Sequence, residues 1–193
     1  MSKYTEKKWN LSNLKGFSSE QIDQHFKLYA GYVANSNTLD DKLTSLIKEN
    51  KHGTPEYNEL KRRFGWEFNG MRLHEYYFDN LGVGEKLDPN SALAKKINEN
   101  FGSYENWLLD FKKTGAIRGI GWAILYKDNI TGHLHNVWIG DHHIGHEAGS
   151  SPILVMDVWE HADCVDWKPT ERPKYIDAFC DNIKWSEVQK RFV

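Results

Sequence analysis

Residues 152–164, PILVMDVWEHADC, join an apolar segment to a cluster of charged side chains. The apolar start, residues 152–156, is typical of a buried strand. The strand runs directly into Asp157, and Glu160 and His161 follow within four residues. Charged groups at the end of a buried segment are costly unless a partner compensates them. The stretch therefore raises a choice between a protein partner and a metal ion.

Composition limits what the chain can be. Its 193 residues, 39% hydrophobic and 13% aromatic, are enough to bury a substantial core. The formal net charge of −2, without a long basic block, gives nucleic-acid binding no electrostatic support. No apolar run reaches the ~18 residues that a membrane span requires, and the first residues lack the apolar segment of a secretion signal. We therefore expect a cytoplasmic protein with no nucleic-acid or membrane partner.

Two long helices are predicted in the first part of the chain. From Ser18 or Ser19, either of which can cap a helix, apolar residues recur with helical spacing. A second helix should begin with Thr54 as its cap and Pro55 in the first helical position, and run to about Phe78. The polar turn between the two helices predicts an antiparallel pair.

After a turn-rich break at residues 80–89, the pattern changes to shorter elements. We expect helices near residues 91–98 and 103–113, strands at residues 121–126, 134–139 and 153–158, and two final helices near residues 174–181 and 185–191. The chain is therefore predicted to be an α+β protein. An N-terminal antiparallel helical hairpin, residues 1–83, packs on a C-terminal domain, residues 84–193, that has a three-stranded antiparallel sheet and surrounding helices.

Four side chains could form a metal site between the two predicted domains. Asp157 and His161 are four residues apart and meet if the chain turns helically after the strand, although an ion pair or a helix cap also explains this spacing. His25 and His74 lie on the apolar faces of the two paired helices. Imidazoles suit mid-row transition metals, and one carboxylate favours a trivalent ion. Zinc accepts the same ligands and would imply hydrolysis or a structural role, so the residues alone leave the metal open.

The segment from Asp157 to Ala162, DVWEHA, closely resembles the C-terminal metal signature of the iron/manganese superoxide dismutases. The resemblance extends over nearly the whole chain. It includes the segments that end at His25 and His74, residues 101–104 and 119–122, and residues 172–175 and 183–185. The order and spacing of these segments together make the resemblance specific.

The resemblance implies a metal centre and a reaction. His25, His74, Asp157 and His161 would be the four protein ligands of one iron or manganese ion, with one solvent molecule completing the shell. The implied reaction is the dismutation of superoxide to oxygen and hydrogen peroxide, with the metal cycling between its trivalent and divalent states. Neighbouring hydrogen bonds would tune the potential of that metal.

Other residues take roles through the same resemblance. Tyr32 would be the phenol near the open coordination position, and Trp122 and Trp159 would wall the site with apolar surface. Arg172 resembles the arginine near the channel mouth, where a fixed positive charge would draw in a small anion.

The expected subunit interface departs from the family pattern. Glu160 would reach across a two-fold axis to His161 of a second subunit, which implies a homodimer. In many members a histidine of the first helix pairs with a tyrosine across this interface. Here Tyr29 lies in that helix region, and Asp163 and Cys164 stand where two tyrosines are common. We expect this contact to be replaced or lost, with the ligands unaffected.

The residue that hydrogen-bonds the metal-bound solvent bears on metal preference. Gly70 in the second helix means that the iron-type glutamine is absent there. Counting back from Asp157 places His142 in the alternative position, with His143 as the second choice, and a histidine there resembles a branch in which metal choice is not fixed. Val155 is not the glycine typical of manganese members. The sequence therefore favours iron over manganese.

Two alternatives to a dismutase stay open. A metal-binding scaffold of the same fold would keep the ligands with little or no dismutase activity, which the altered first helix allows. A zinc-dependent hydrolase would need a general base beside the metal-bound water, and no carboxylate obviously serves, because Glu160 is assigned to the interface.

Overall fold

The computed structural model describes residues 3–192. The helices are α1 (Ser19–Lys48), α2 (Pro55–Asp79), α3 (Ala92–Phe101), α4 (Tyr104–Gly115), α5 (Arg172–Asp181) and α6 (Trp185–Phe192). The strands are β1 (Gly121–Asp128), β2 (Leu134–Gly140) and β3 (Ser150–Asp157), and two short 3-10 turns cover Glu160–Ala162 and Pro169–Glu171. The predicted α+β architecture is confirmed. Among the described helices, none combines the length and the apolar composition needed to cross a bilayer.

The two long helices begin where their capping residues predict. The Ser18 side chain accepts a hydrogen bond from the backbone N–H of Gln21, so Ser18, rather than Ser19, is the cap of α1. Thr54 caps α2 in the same way, and Pro55 is its first residue. These hydrogen bonds satisfy N–H groups that have no partner within the helix, which is why both starts can be read locally from the sequence.

The antiparallel pairing of α1 and α2 is visible in their side-chain contacts. The Tyr29 hydroxyl donates to Glu75 at 3.1 Å, whereas Asn35 donates to Glu67 at 3.2 Å, so residue numbers rise along α1 as they fall along α2. Tyr29 is only 2% exposed. It therefore lies in the interior of the chain, whereas its sequence position suggested a place at the expected subunit interface.

The sheet is three-stranded and antiparallel, in the order β2-β1-β3, as predicted. The central strand, β1, is buried from Gly121 to Tyr126. Within it, Trp122 pairs with Ile139 of β2 and with Asp157 of β3. Because β1 is hydrogen-bonded along both edges and buried, it is a rigid element that fixes Trp122 beside the last residue of β3.

The segment that follows α2 is tied to the C-terminal part of the chain. Leu81 forms a β-bridge with Ile183, and the Asn80 side chain donates to the Val155 carbonyl oxygen at 2.7 Å. These contacts hold the end of α2 against β3 and against the segment between α5 and α6. The domain boundary at residue 83 stays a prediction.

The packing of α4 generates a test of the core. Phe111 has no exposed surface and stacks on Trp107, with ring centroids 5.5 Å apart. Phe111→Ala should lower the free energy of unfolding by about 3–5 kcal/mol, because it removes buried apolar surface and leaves a cavity. Leu109 on the same helix is 58% exposed, and Leu109→Ala should change the free energy by less than about 0.5 kcal/mol. Urea denaturation at matched metal content measures both, and equal effects would contradict this packing.

Candidate metal centre

Asp157 is the last residue of β3 and has no exposed surface. Its Oδ1 accepts a hydrogen bond from the Trp159 backbone N–H at 2.8 Å, and its own carbonyl oxygen accepts one from the Tyr175 hydroxyl at 2.5 Å. These bonds orient the carboxylate and occupy one of its two oxygens. The second oxygen, Oδ2, is the one that faces the histidines.

The three histidines predicted as ligands surround Oδ2 of Asp157. The Nε2 atoms of His25 and His161 each lie 3.2 Å from this oxygen, and that of His74 lies 3.5 Å away. One possible ligand atom from each of the four side chains lies within 4.8 Å of the other three. The helical turn expected after β3 is present as the 3-10 turn Glu160–Ala162, and it brings His161 back towards Asp157.

The contacts of His74 show that this cluster fits a cation. Its Nδ1 lies 2.6 Å from the Gly70 carbonyl oxygen, which can only accept, so Nδ1 carries the proton. Its Nε2 therefore presents a lone pair to Asp157 Oδ2, and it has no hydrogen-bond partner in residues 3–192. Two electron-rich atoms this close repel each other when they are buried away from water. A metal ion bound by both removes that repulsion, and iron, manganese and zinc all accept imidazole with carboxylate.

The protonation of the cluster agrees with metal binding. Burial, followed by the charge of His25, lowers the pKa of His74 well below its usual range. Burial alone would raise the pKa of Asp157, but the charges and hydrogen bonds of His161 and His25 outweigh it and lower that pKa. Burial also lowers the pKa of His25. These directions favour a carboxylate at Asp157 and neutral imidazoles at His25 and His74, which are the forms that bind metals.

Gln21 positions His161, although the sequence analysis did not identify this role. Gln21 is fully buried, and its Nε2 donates to the His161 carbonyl oxygen at 2.7 Å. Its Oε1 accepts from the Val165 backbone N–H at 3.1 Å. Gln21 lies one helical turn before His25, and a polar residue four positions before a ligand on the same helix face is the signal that could have identified it.

His142 lies between Tyr32 and Trp122. The Trp122 indole N–H donates to His142 Nδ1 at 3.1 Å, so the proton of the neutral ring is on Nε2. Nε2 in turn donates to the Tyr32 hydroxyl oxygen at 2.7 Å. Burial lowers the pKa of His142 to about 4 and raises the pKa of Tyr32 above its ordinary value. Both groups are therefore neutral hydrogen-bonding partners at physiological pH.

The aromatic wall beside this network includes a residue that sequence reasoning missed. Trp159 stacks on His142 with ring centroids 4.6 Å apart, as expected of a wall residue. Trp66 also packs edge-on against His142, at 4.9 Å, and against His143, at 5.5 Å. The structure thus places His142 against Tyr32, whereas His143 packs against Trp66. Trp66 precedes His74 by eight residues on α2, a spacing that keeps both on one helix face.

The close approach of α2 to Tyr32 requires a glycine. A Cβ atom at Gly70 would lie 2.6 Å from Cδ1 of the Tyr32 ring, well inside van der Waals contact. The absence of the iron-type glutamine at this position therefore has a local cause. Any side chain at Gly70 would displace Tyr32 from its place against His142 and the His74 ring.

Arg172 lines a cavity of about 500 Å³, together with Glu160, Asp163 and Cys164. Its Nη1 donates to the Gly119 carbonyl oxygen at 2.8 Å, and its Nε lies 3.7 Å from Asp163 Oδ2. Asp163, in a place where the family commonly has tyrosine, thus pairs with Arg172 inside the chain. Glu160, which also lines this cavity, is exposed.

Comparison with known proteins agrees with this site. The family described as iron/manganese superoxide dismutases, C-terminal domain, matches residues 89–191. The iron superoxide dismutase of Aquifex aeolicus is 41% identical over 186 residues, 93% of this chain and 86% of that protein. That of Cupriavidus metallidurans is 36% identical over 187 residues, 94% and 91% of the two chains.

A manganese relative gives the same result. Superoxide dismutase 1 of Halobacterium salinarum, named as a manganese protein, is 38% identical over 179 residues, 90% of this chain and 86% of that protein. The fold, the buried cluster of three histidines and one aspartate, and matches over most of the chain agree. This chain belongs to the iron/manganese superoxide dismutase family.

Proposed function

We propose that this protein dismutates superoxide at one iron or manganese ion held by His25, His74, Asp157 and His161. The observation that carries the proposal is the buried cluster in which three imidazole nitrogens face one carboxylate oxygen, at 3.2–3.5 Å, in a chain of this family. When bound, the ion supplies one-electron redox chemistry, through which two superoxide anions and two protons become one oxygen and one hydrogen peroxide.

Tyr32 and His142 support the proton supply that the reaction needs. Because His142 Nε2–H donates to the Tyr32 oxygen, the phenol keeps its own proton for another acceptor. The Tyr32 ring lies 5.1 Å from the His74 ring, so this proton is held beside the cluster. The raised pKa of Tyr32, caused first by burial, keeps the phenol protonated at neutral pH. We infer that Tyr32 offers its proton to the bound anion.

The surroundings of the cluster favour a small anion over bulk water. Trp122 is fully buried, and Trp159 stacks on His161 with ring centroids 5.6 Å apart, so apolar surface covers this side of the site. Arg172 would supply the positive charge that attracts superoxide. Its neighbour Asp163 offsets part of that charge, which makes the field of this arginine weaker than that of an unpaired one.

We further propose iron as the preferred metal. The relatives described above include both iron and manganese proteins, so they leave the choice open. Support for iron comes from Val155, which stands where manganese members typically have glycine. The location in the cytoplasm stays a prediction. Neither alternative, a scaffold without turnover or a zinc hydrolase, has an observation in its favour.

We also propose a homodimer in which Glu160 accepts a hydrogen bond from His161 of a second copy. Nε2 of His161 faces Asp157, so Nδ1 is on the other side of the ring, and the side chain retains 19% of its surface exposed. Glu160 is exposed next to it, and Ile120 in the same cavity is 38% exposed. A hydrogen-bond acceptor and an exposed apolar side chain on one face suit a second copy.

The ligand assignment predicts loss of metal on substitution. His74→Ala and Asp157→Ala should each lower metal affinity by roughly 100-fold or more, since even residues that only support ligands contribute about 10- to 100-fold. Mass spectrometry of metal content, after loading separately with iron and manganese, measures this together with superoxide consumption. His52→Ala, in the exposed turn before α2, is the control. Full metal and activity in either ligand variant would contradict the assignment.

The role of Tyr32 predicts a different result. Tyr32→Phe should retain the metal, because the phenol is not a ligand, and should lower turnover or change product inhibition. We expect turnover to fall roughly 10- to 100-fold, which is at or below the lower end of the rate enhancement that positioned proton donors contribute. Stopped-flow measurement of superoxide decay tests this, with the half-buried Tyr57→Phe as control. Unchanged kinetics in Tyr32→Phe would refute the proposed role.

The dimer proposal is tested by sedimentation. Glu160→Ala should raise the dimer dissociation constant by about 30-fold or more, because it leaves the His161 N–H of the second copy without an acceptor. Glu99→Ala, which removes only an exposed ion pair with Lys96, should leave the constant unchanged. A monomeric parent protein at micromolar concentration would exclude the proposed interface.

A further inference from the structure

The loop between β2 and β3, residues 141–149, carries His142 to the site. The loop turns back at once, because Gly140 and Ile144 exchange backbone hydrogen bonds of 2.9 and 3.1 Å. Asp141 between them has a φ of 51°, in the left-handed region. A loop residue is less firmly placed than one on a helix or strand, so the position of His142 depends on what holds this loop.

His146 holds the backbone of His142. Its Nε2 lies 3.0 Å from the His142 carbonyl oxygen, and since a carbonyl only accepts, Nε2 is the donor. In the neutral ring Nδ1 is then the acceptor, and the Tyr126 hydroxyl, 2.6 Å away, donates to it. Tyr126 is only 3% exposed, so this hydrogen bond is shielded from water.

The same strand therefore holds His142 at two points. Trp122 and Tyr126 are four residues apart on β1, and because the pairing of β1 with β2 is regular over both, they point to the same side of the sheet. Trp122 holds the ring of His142 directly, and Tyr126 holds its backbone through His146. A backbone carbonyl accepts a hydrogen bond but cannot pass a proton on to the ring. The contribution of His146 is therefore to position His142, and not to deliver protons.

We propose that His146 and Tyr126 are positioning residues for the dismutase site. They fix the position of the His142 ring against Tyr32. The position of this ring in turn sets the hydrogen bonds around the metal, and these hydrogen bonds govern turnover and metal preference. The inference rests on the proposed function. It adds a layer of residues that touch neither the cluster nor Tyr32 and that are 11 or more positions from every proposed ligand in the sequence.

The test compares three substitutions in the iron-loaded protein. His146→Leu removes both the donor and the acceptor, and should retain the metal while lowering kcat by roughly 10-fold, at the lower end of the effects of residues that orient groups at a metal site. It should also shift the electron paramagnetic resonance spectrum of the bound iron. His146→Gln should restore both properties, because its amide N–H and carbonyl oxygen reproduce the two hydrogen bonds. Tyr126→Phe, which removes a single oxygen, should shift the spectrum in the same direction as the leucine variant.

His135→Leu is the matched control. The His135 ring lies 3.1 Å from a carboxylate oxygen of Glu147, so it contacts the same loop at a point beyond His146. This variant should leave the spectrum and kcat unchanged, because it loosens the loop without reaching His142. The same change in His135→Leu as in His146→Leu would show general loosening and contradict positioning by His146.

Three further results would show whether the inference or the proposed function has failed. An unchanged spectrum in both His146→Leu and Tyr126→Phe would overturn the inference. The inference would also be overturned if His146→Gln, with an unchanged melting temperature, did not restore the kcat and the spectrum of the parent protein. A parent protein that holds iron without turnover would contradict the proposed function, while the spectra of the variants would still decide whether His146 positions His142.

Discussion

One buried carboxylate oxygen, Oδ2 of Asp157, is the constraint on which the rest of this structure depends. Three imidazole nitrogens face it at 3.2–3.5 Å, and at least one of them, Nε2 of His74, presents a lone pair to it. Such an arrangement is unfavourable in a dry interior unless a cation lies among the four side chains. The elements around the cluster hold it together against this repulsion. The four side chains therefore form an arrangement that suits a bound metal ion.

The fold meets this constraint with rigid elements that come from distant parts of the sequence. Two long helices each contribute one histidine, and the end of a buried strand contributes the aspartate. Only His161 lies on a short turn, and Gln21 of α1 holds that turn by its carbonyl oxygen. Strand β1 supports His142, which is hydrogen-bonded to Tyr32. Trp122 of β1 holds the His142 ring, and Tyr126 holds the backbone of His142 through His146. The cluster of three histidines and Asp157, and the hydrogen bond between His142 and Tyr32, thus depend on the same central strand and the same helix pair.

The elements and the clustering of His25, His74, Asp157 and His161 could be predicted from sequence, whereas much of the surrounding network could not. Helix starts depend on local capping, so Thr54 and Pro55 marked the start of α2 correctly. Residue counting placed His142 first and His143 second, but it could not show that the His142 ring contacts the Tyr32 hydroxyl. Periodicity shows which helix faces are buried but not what packs against them, and Trp66 and Gln21 were missed for that reason. The sequence shows that Gly70 stands where iron-type members have a glutamine. Only the structure shows that the Tyr32 ring occupies the space that a side chain at Gly70 would need.

Anomalous diffraction from crystals of the iron-loaded protein, recorded on both sides of the iron absorption edge, tests the central claim most directly. The account predicts one iron peak per chain, bound by Nε2 of His25, His74 and His161 and by Oδ2 of Asp157. A peak at any other group of side chains would contradict it. So would iron-loaded crystals with no iron peak among these four side chains, because the account places the cation there.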